Sequence, residues 1–309
     1  MFGALIIDKP EGFTSHDIVA RVRRVAGTRR VGHAGTLDPF ATGALICCIG
    51  PATRLVQFLV GLDKEYIASV RLGYATDTQD RTGKPVTSLR SPSNLSLDEL
   101  QRVLHQFIGP QLQMPPMFSA KKVGGERLYR AAREGREVER EPVRIVVHSI
   151  DLFSDESPPL TSNEDGSADF RIQVCCSSGT YVRTLAHDLG QRLGVGAHVT
   201  NLRRTRVGHF RLADGYTLDQ LETMQPDALV DALISPSDML LDLPRFVIDD
   251  EEVKRVTNGR TLTLSQEQAA AVDPATRKLR LCDSKGSLIA VGDFDSEARL
   301  VSPRVVLPA

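Results

Sequence analysis

The 309 residues include 38 basic and 39 acidic side chains, for a formal net charge of -1, and 41% are hydrophobic. Such neutrality excludes a uniformly basic nucleic-acid binder, while the apolar fraction suffices for one large domain or two unequal ones. No window approaches the roughly 18 consecutive apolar residues of a membrane span. Asp8 and Lys9 interrupt the first apolar run too early for a signal peptide, so a cytoplasmic protein is expected.

In chain order, residues 2–7 form a short apolar run ended by Asp8, Lys9, Pro10, Glu11 and Gly12, which reads as a strand leaving into a turn. Ser15 can cap a helix with Ile18, Val19, Val22 and Val25 on one face and Arg21, Arg23 and Arg24 on the other. Residues 44–49 are apolar enough for a buried strand, and Tyr66, Ala68, Val70 and Leu72 share one face of the next. A capping box at Ser96 and Glu99, followed by Leu100, Val103, Leu104, Phe107 and Ile108, predicts a second helix stopped by Gly109 and Pro110. Residues 154–168 are polar, with four acids and no base, and read as a surface loop without an assigned function. Phe170, Ile172, Val174 and Cys176 then alternate on a strand, and a third helix is expected from about residue 184 to Gly194. Past residue 240 the character changes to short strands near 278–282 and 288–291 behind a junction at Pro244. There is no regular βαβ rhythm. The expectation is an α+β fold with a mixed, mostly antiparallel sheet over residues 1–240 and a small β-rich domain over 241–309.

Cys47 and Cys48, Cys175 and Cys176, and the single Cys282 form no CxxC pattern, and neighbours on a strand point to opposite faces, so neither pair is a chelate. They read as small buried hydrophobes in a reducing compartment. The seven histidines lie no closer than eleven residues apart. No metal is expected, and because no Gly-rich phosphate loop follows a strand, no nucleotide cofactor is expected either.

The densest unusual stretch is Gly32-His33-Ala34-Gly35-Thr36-Leu37-Asp38-Pro39-Phe40-Ala41-Thr42-Gly43. It is too rich in glycine for a helix or a regular strand. Pro39 pushes Asp38 toward an extended conformation, and the glycines let the backbone pass close to itself or to a ligand. Taken alone, an Asp-Pro pair reads as an Asx turn, in which the Asp38 side chain merely bonds a nearby amide, in preference to a catalytic carboxylate.

This stretch resembles the signature loop of the TruB family of tRNA pseudouridine synthases, and further motifs follow in the family order. Asp8-Lys9-Pro10 with Gly12, Thr14 and Ser15 is similar to the family's opening. Lys64-Glu65-Tyr66 with Leu72, Gly73, Thr76, Asp77 and Thr78 is similar to its second motif. Residues 177–183 (SSGTYVR) with Asp188-Leu189-Gly190 are similar to the third, and Leu202-Arg203-Arg204 to the fourth. The resemblance covers about residues 3–212. It implies that Asp38 is the catalytic aspartate, Tyr66 the ring that packs on the target base, and Arg183 the cation that pairs with the aspartate. It further implies substrate contacts at His33, Lys9, Tyr181, Leu202, Lys121 and Arg204, with the T arm of tRNA as partner, uridine 55 as target and no cofactor or metal. Residues 112–145 resemble the family's thumb insertion, and the C-terminal domain resembles a PUA-type module in position and size. A monomer is expected.

The residues themselves fit those roles. Turning uridine into its C-glycoside breaks N1–C1′ and rejoins the sugar to C5, and one ionised carboxylate beside the sugar can attack C1′ or remove a C2′ proton. An arginine bonded to Asp38 would hold it ionised and lower its pKa. A base inside folded RNA must be flipped out to be reached. Charge is also unevenly placed: residues 21–30 hold five arginines and no acid, residues 200–211 four arginines and no acid, and residues 112–145 eight bases against five acids. Such clusters suit phosphate contacts. Residues 235–309, with twelve acids and ten bases, do not share that character. An RNA chaperone would not need Asp38, Tyr66 and Arg183 together. A hydrolase would want a second carboxylate or a metal cluster, and Asp8, Asp63 and Asp77 form no recognisable pair.

Overall fold

The computed structural model describes residues 2–119, 122–123, 125–136, 138–153 and 159–308. Its strands, in order, are β1 (Gly3–Lys9), β2 (Val31–Ala34), β3 (Thr42–Ile49), β4 (Lys64–Leu72), β5 (Gly109–Gln113), β6 (Lys122–Val123), β7 (Glu126–Arg127), β8 (Val143–Leu152), β9 (Leu160–Ser162), β10 (Ala168–Cys176), β11 (Ala197–Val207) and β12 (Phe210–Arg211). All but β6 and β7 join one sheet, ordered β1-β3-β11-β4-β10-β8-β5, with β2, β9 and β12 as side branches. Its pairings are antiparallel except where β11 meets β3. The mixed, mostly antiparallel sheet expected from the lack of a βαβ rhythm is therefore present.

Period-two burial along β4 and β10 places Tyr66, Ala68, Val70, Leu72, Phe170, Ile172 and Val174 in one apolar layer. Helices α3 (Leu97–His105) and α5 (Val182–Arg192) cover it, contributing Leu100, Leu104, Leu185 and Leu189. Ser96 caps α3 by accepting from the Glu99 N–H. Helix α1 (Ser15–Val25) packs Ile18, Val19 and Val22 against β1 and β3, and the short helices α2 (Val56–Leu59) and α4 (Leu128–Arg133) fall between these three in the chain.

The cap of α1 lies one residue earlier than its sequence suggests. Thr14, not Ser15, is the N-cap, in a reciprocal capping box with Asp17. Ser15 is 2% exposed, and its hydroxyl accepts from Leu37 N (2.9 Å) and donates to Leu37 O (3.2 Å). A long-range use for the hydroxyl outcompetes the local one.

The ends of the glycine-rich stretch also differ from the irregular backbone expected, for Val31–Ala34 and Thr42–Ile49 are antiparallel strands. Gly43 permits this, at φ 100° and so close to β11 that a Cβ would stand 2.2 Å from the Arg204 carbonyl oxygen.

The C-terminal region is β-rich: β13 (Arg245–Val247), β14 (Leu262–Thr263), β15 (Lys278–Cys282), β16 (Leu288–Asp295) and β17 (Leu300–Val306) form a second sheet ordered β13-β15-β16-β17-β14. Its own core gathers Ile248, Val256, Leu279, Leu281, Phe294 and Val301. Cys282, Leu288, Val305 and Leu307 pack instead with Ala52, Leu55, Leu59 and Phe210 of the larger sheet's side. Arg280, 8% exposed, ties the two by donating to the Leu243 and Ser237 carbonyls. No helix among the described residues is long and apolar enough to cross a membrane.

Candidate active site

The loop at 35–41 is held at both ends and in the middle. Leu37, Phe40 and Ala41 sink into the core. Ser15 clasps both polar groups of the Leu37 backbone, Gly12 N donates to Pro39 O (2.9 Å), and Arg204 Nη2 donates to Gly35 O (3.0 Å). What remains for Asp38 is one orientation, into a cleft of about 260 Å³ lined also by Lys64, Tyr66, Ser119, Thr180, Tyr181, Arg183, Leu202 and Arg204.

Arg183 lies in the first turn of α5, where a cation opposes the helix dipole and needs compensation. It is 3% exposed. Its Nε donates to Asp38 Oδ2 at 3.0 Å, Nη1 to Asp80 Oδ2 (3.2 Å) and Thr78 O (2.9 Å), and Nη2 to Phe118 O (2.7 Å). One guanidinium fork thus orients two carboxylates and two carbonyls.

Asp80, two residues beyond the Thr76-Asp77-Thr78 motif and outside the residues expected from the sequence to form the site, is a member of this constellation. Its other oxygen accepts from Thr78 Oγ1, Thr82 N and Thr82 Oγ1 (2.6–2.9 Å). The loop carrying it is strained at Gln79, φ 61°, a value a side-chain-bearing residue seldom adopts. Thr184 holds that glutamine through Oε1, and Val199 N holds its carbonyl. The sequence signal was the spacing of Asp80 behind the Thr-rich motif.

Asp38 keeps 34% of its side chain open to the cleft mouth yet is otherwise ringed by protein. Burial therefore pushes its carboxyl above the ordinary range, against the downward pull of Arg183, with the Asp80 charge adding to the rise. This reverses the sign expected from an Asp–Arg pair alone.

On the sheet side, Tyr66 is buried, its hydroxyl against the Arg204 guanidinium, and burial raises its pKa. Register pairs Leu202 with Ala68 and Arg204 with Tyr66, so Leu202 supplies an apolar wall on the same face. Tyr181 enters from the N-terminus of α5, its backbone bracketed by both ends of the Gln113 amide (2.8 and 3.1 Å). Lys64, 6% exposed, donates to the Val60 and Leu62 carbonyls, and burial lowers its pKa to about 8.

Lys9 and Arg204, read as substrate contacts, are 0% and 1% exposed. Lys9 Nζ donates to the carbonyls of Pro10, Phe13 and Pro39 (2.7–3.2 Å), and burial lowers its pKa to about 8. Arg204 spends Nε on Ala44 O (2.7 Å) and Nη2 on Gly35 O. In this fold both brace the Asp38 loop from below, Lys9 away from the cleft and Arg204 along its wall. Arg203, its neighbour on β11, points to the other face and pairs with Asp8 (2.7 Å), while Arg206 pairs with Glu65. Strand alternation thus splits what reads as one basic cluster.

His33 stands on β2 outside the cleft lining, edge-on to His16 with ring centroids 5.4 Å apart. Burial, His16 and Arg204 bring its pKa down to about 4, leaving the ring neutral near pH 7. Lys121 lies outside the described residues.

A larger hollow of about 440 Å³ opens on the opposite face of the sheet among Ile67, Ser69, Asn201 and Arg203. Asp169 in its wall is taken up by Arg71 (2.7 Å), so the reactive carboxylate belongs to the smaller cleft. Among the described residues, no group of three or more His, Cys, Asp or Glu is placed to hold a metal ion.

Comparison with known proteins matches residues 23–182 to the family model "TruB family pseudouridylate synthase (N terminal domain)" and residues 183–242 to "tRNA pseudouridylate synthase B C-terminal domain". A tRNA pseudouridine synthase B of Solibacter usitatus is 42% identical over 95% of this chain and 96% of its own length. One of Bacillus velezensis is 40% identical over 99% of this chain and 97% of its own. The fold is shared with a chain of an H/ACA RNP bound to a substrate RNA, at a TM-score of 0.71 and 24% identity, covering 100% of this chain and 86% of that one.

Proposed function

The chain belongs to the TruB family of pseudouridine synthases and is an RNA pseudouridine synthase, and on that premise we propose that it converts uridine 55 in the T loop of tRNA to pseudouridine. The observation carrying this reading is that, among the described residues, the cleft lining holds one carboxylate, Asp38, facing an aromatic ring and an apolar wall. Asp80, the only other acid bonded to Arg183 among the described residues, turns its oxygens to Arg183, Thr78 and Thr82, so it is not free to direct a water as the second acid of a hydrolase would.

A uridine flipped from the loop lays its base between Tyr66 and Leu202 and its sugar at Asp38. The ionised carboxylate attacks C1′ or takes the C2′ proton; either way N1–C1′ breaks. The base turns and C5 bonds to C1′ as the carboxylate leaves C1′, in the first case, or returns the proton to C2′, in the second; the proton lost from C5 balances the one gained at N1. The Tyr66 hydroxyl stands where a C5 proton can be handled. The product is an isomer, so no oxidant, reductant or cofactor is consumed. His33 stacks in the space around the flipped nucleotide, and Tyr181 meets its backbone. The same proposal includes a catalytic domain to about residue 240 with a thumb at 112–145, a PUA-like domain from 241, and action as a cytoplasmic monomer.

Incubation with an unmodified T-arm hairpin and base-resolution detection should show pseudouridine at the one position. No product with the intact protein overturns the reading.

Because Asp38 must be ionised to act and burial raises its pKa, the single-turnover rate should fall on the acid side at a pH above the ordinary carboxylate value of about 4. A limb at or below that value would show the Arg183 charge outweighing burial.

A further inference from the structure

Two hydroxyls lining the cleft, those of Ser119 and Thr180, are sealed from solvent and have no hydrogen-bond partner among the described residues. Thr180 lies against the Cys176 thiol. Ser119, 3% exposed, lies beside the Tyr181 hydroxyl, close enough to ease its ionisation but outside hydrogen-bond geometry. Buried polar groups are nearly always bonded, so an open one in a reaction cleft marks a position reserved for a ligand atom.

The place of Ser119 identifies that atom. The carbonyl of Phe118, one residue back, accepts from Arg183 Nη2 at 2.7 Å, which ties Ser119 to the Asp38–Arg183 pair. The neighbouring Tyr181 also feels the charges of Asp38 and Arg183. Whatever sits at Asp38 is ribose C1′ or C2′, since the carboxylate acts on one or the other. The base side of the cleft is walled by Tyr66 and Leu202. The polar group on the sugar next to both carbons is the 2′-hydroxyl, which both donates and accepts, as serine does.

We propose that Ser119 Oγ hydrogen-bonds the 2′-hydroxyl of the flipped uridine, so that the first part of the 112–145 insertion selects ribose over deoxyribose at the reacting nucleotide. This rests on the function proposed above.

The test is equilibrium binding of T-arm hairpins carrying either uridine or 2′-deoxyuridine at the target position, with Asp38→Asn in both proteins so that no product forms. Ser119→Ala should weaken the uridine hairpin about fivefold and leave the 2′-deoxyuridine hairpin within about 1.5-fold. Equal weakening of both, or none of the uridine hairpin, overturns the assignment. Without RNA, Ser119→Ala should melt at the same temperature or higher, because an unbonded buried hydroxyl is gone; a lower midpoint would make Ser119 a structural group and overturn it as well. Conversion of the uridine hairpin by the unaltered protein, measured alongside, tests the proposed function by itself, while Ser119 is judged by binding and melting, neither of which needs turnover.

Discussion

Asp38→Asn should slow conversion of the T-arm hairpin by at least about 10²-fold while leaving its affinity within a few-fold. The amide keeps the shape and the Arg183 Nε contact but can neither attack C1′ nor accept a C2′ proton. A residual rate about 10²–10⁴ below the unaltered enzyme is what loss of a base alone would leave, whereas a nucleophile leaves none, so the size of the loss also separates the two chemistries. The same substitution should raise the thermal midpoint at neutral pH. A carboxyl whose pKa is raised by folding binds more protons in the native than in the unfolded state between the two pKa values. Stability then falls as pH climbs through that window and stays lower above it. An uncharged side chain removes that cost, and Arg183 keeps Asp80, Thr78 O and Phe118 O. Full product with Asp38→Asn would sink the catalytic assignment; a lower midpoint would sink the electrostatic one.

Arg183→Met is expected to do the opposite to stability. It strips the shared counter-charge from two carboxylates, one of them 5% exposed, and strands two carbonyls. Breaking a buried pair from one side costs about 3–5 kcal/mol, which denaturant titration would resolve. Arg183→Lys should recover much of the stability and little of the rate, because a point charge cannot reach Asp38, Asp80 and both carbonyls at once. With Asp38 unconstrained, a loss of about 100-fold in the single-turnover rate is expected, as for an ångström-scale misplacement of a reacting group. Near-normal turnover by Arg183→Lys would mean the charge alone matters and the fork geometry does not.

The surface arginines divide in a way that bears on RNA contact. In the 21–30 cluster, Arg21 pairs with Glu222 and Arg30 bonds Thr53, both on exposed positions where pairing is worth little and phosphates compete readily. In the 200–211 cluster, Arg203 and Arg206 are paired on the sheet face away from the cleft and Arg204 is buried.

Local chemistry made much of this protein readable from its residues alone. Alternation along β4 and β10, the Ser96 cap and the glycine-flanked Asp-Pro pair are short-range consequences of side-chain shape and backbone freedom, and each is where the residues place it. The tertiary structure decided what no local rule reaches. Asp80 meets Arg183 across 103 residues, and Ser15 gives up a helix cap for a loop 22 residues away. Lys9 is turned inward because Pro39 brings it a third carbonyl, and Arg203 and Arg204 part because β11 runs between β3 and β4. Burial, finally, outweighed the neighbouring cation at Asp38. Desolvation depends on how many atoms the whole fold packs around a charge, and a linear sequence does not display that number.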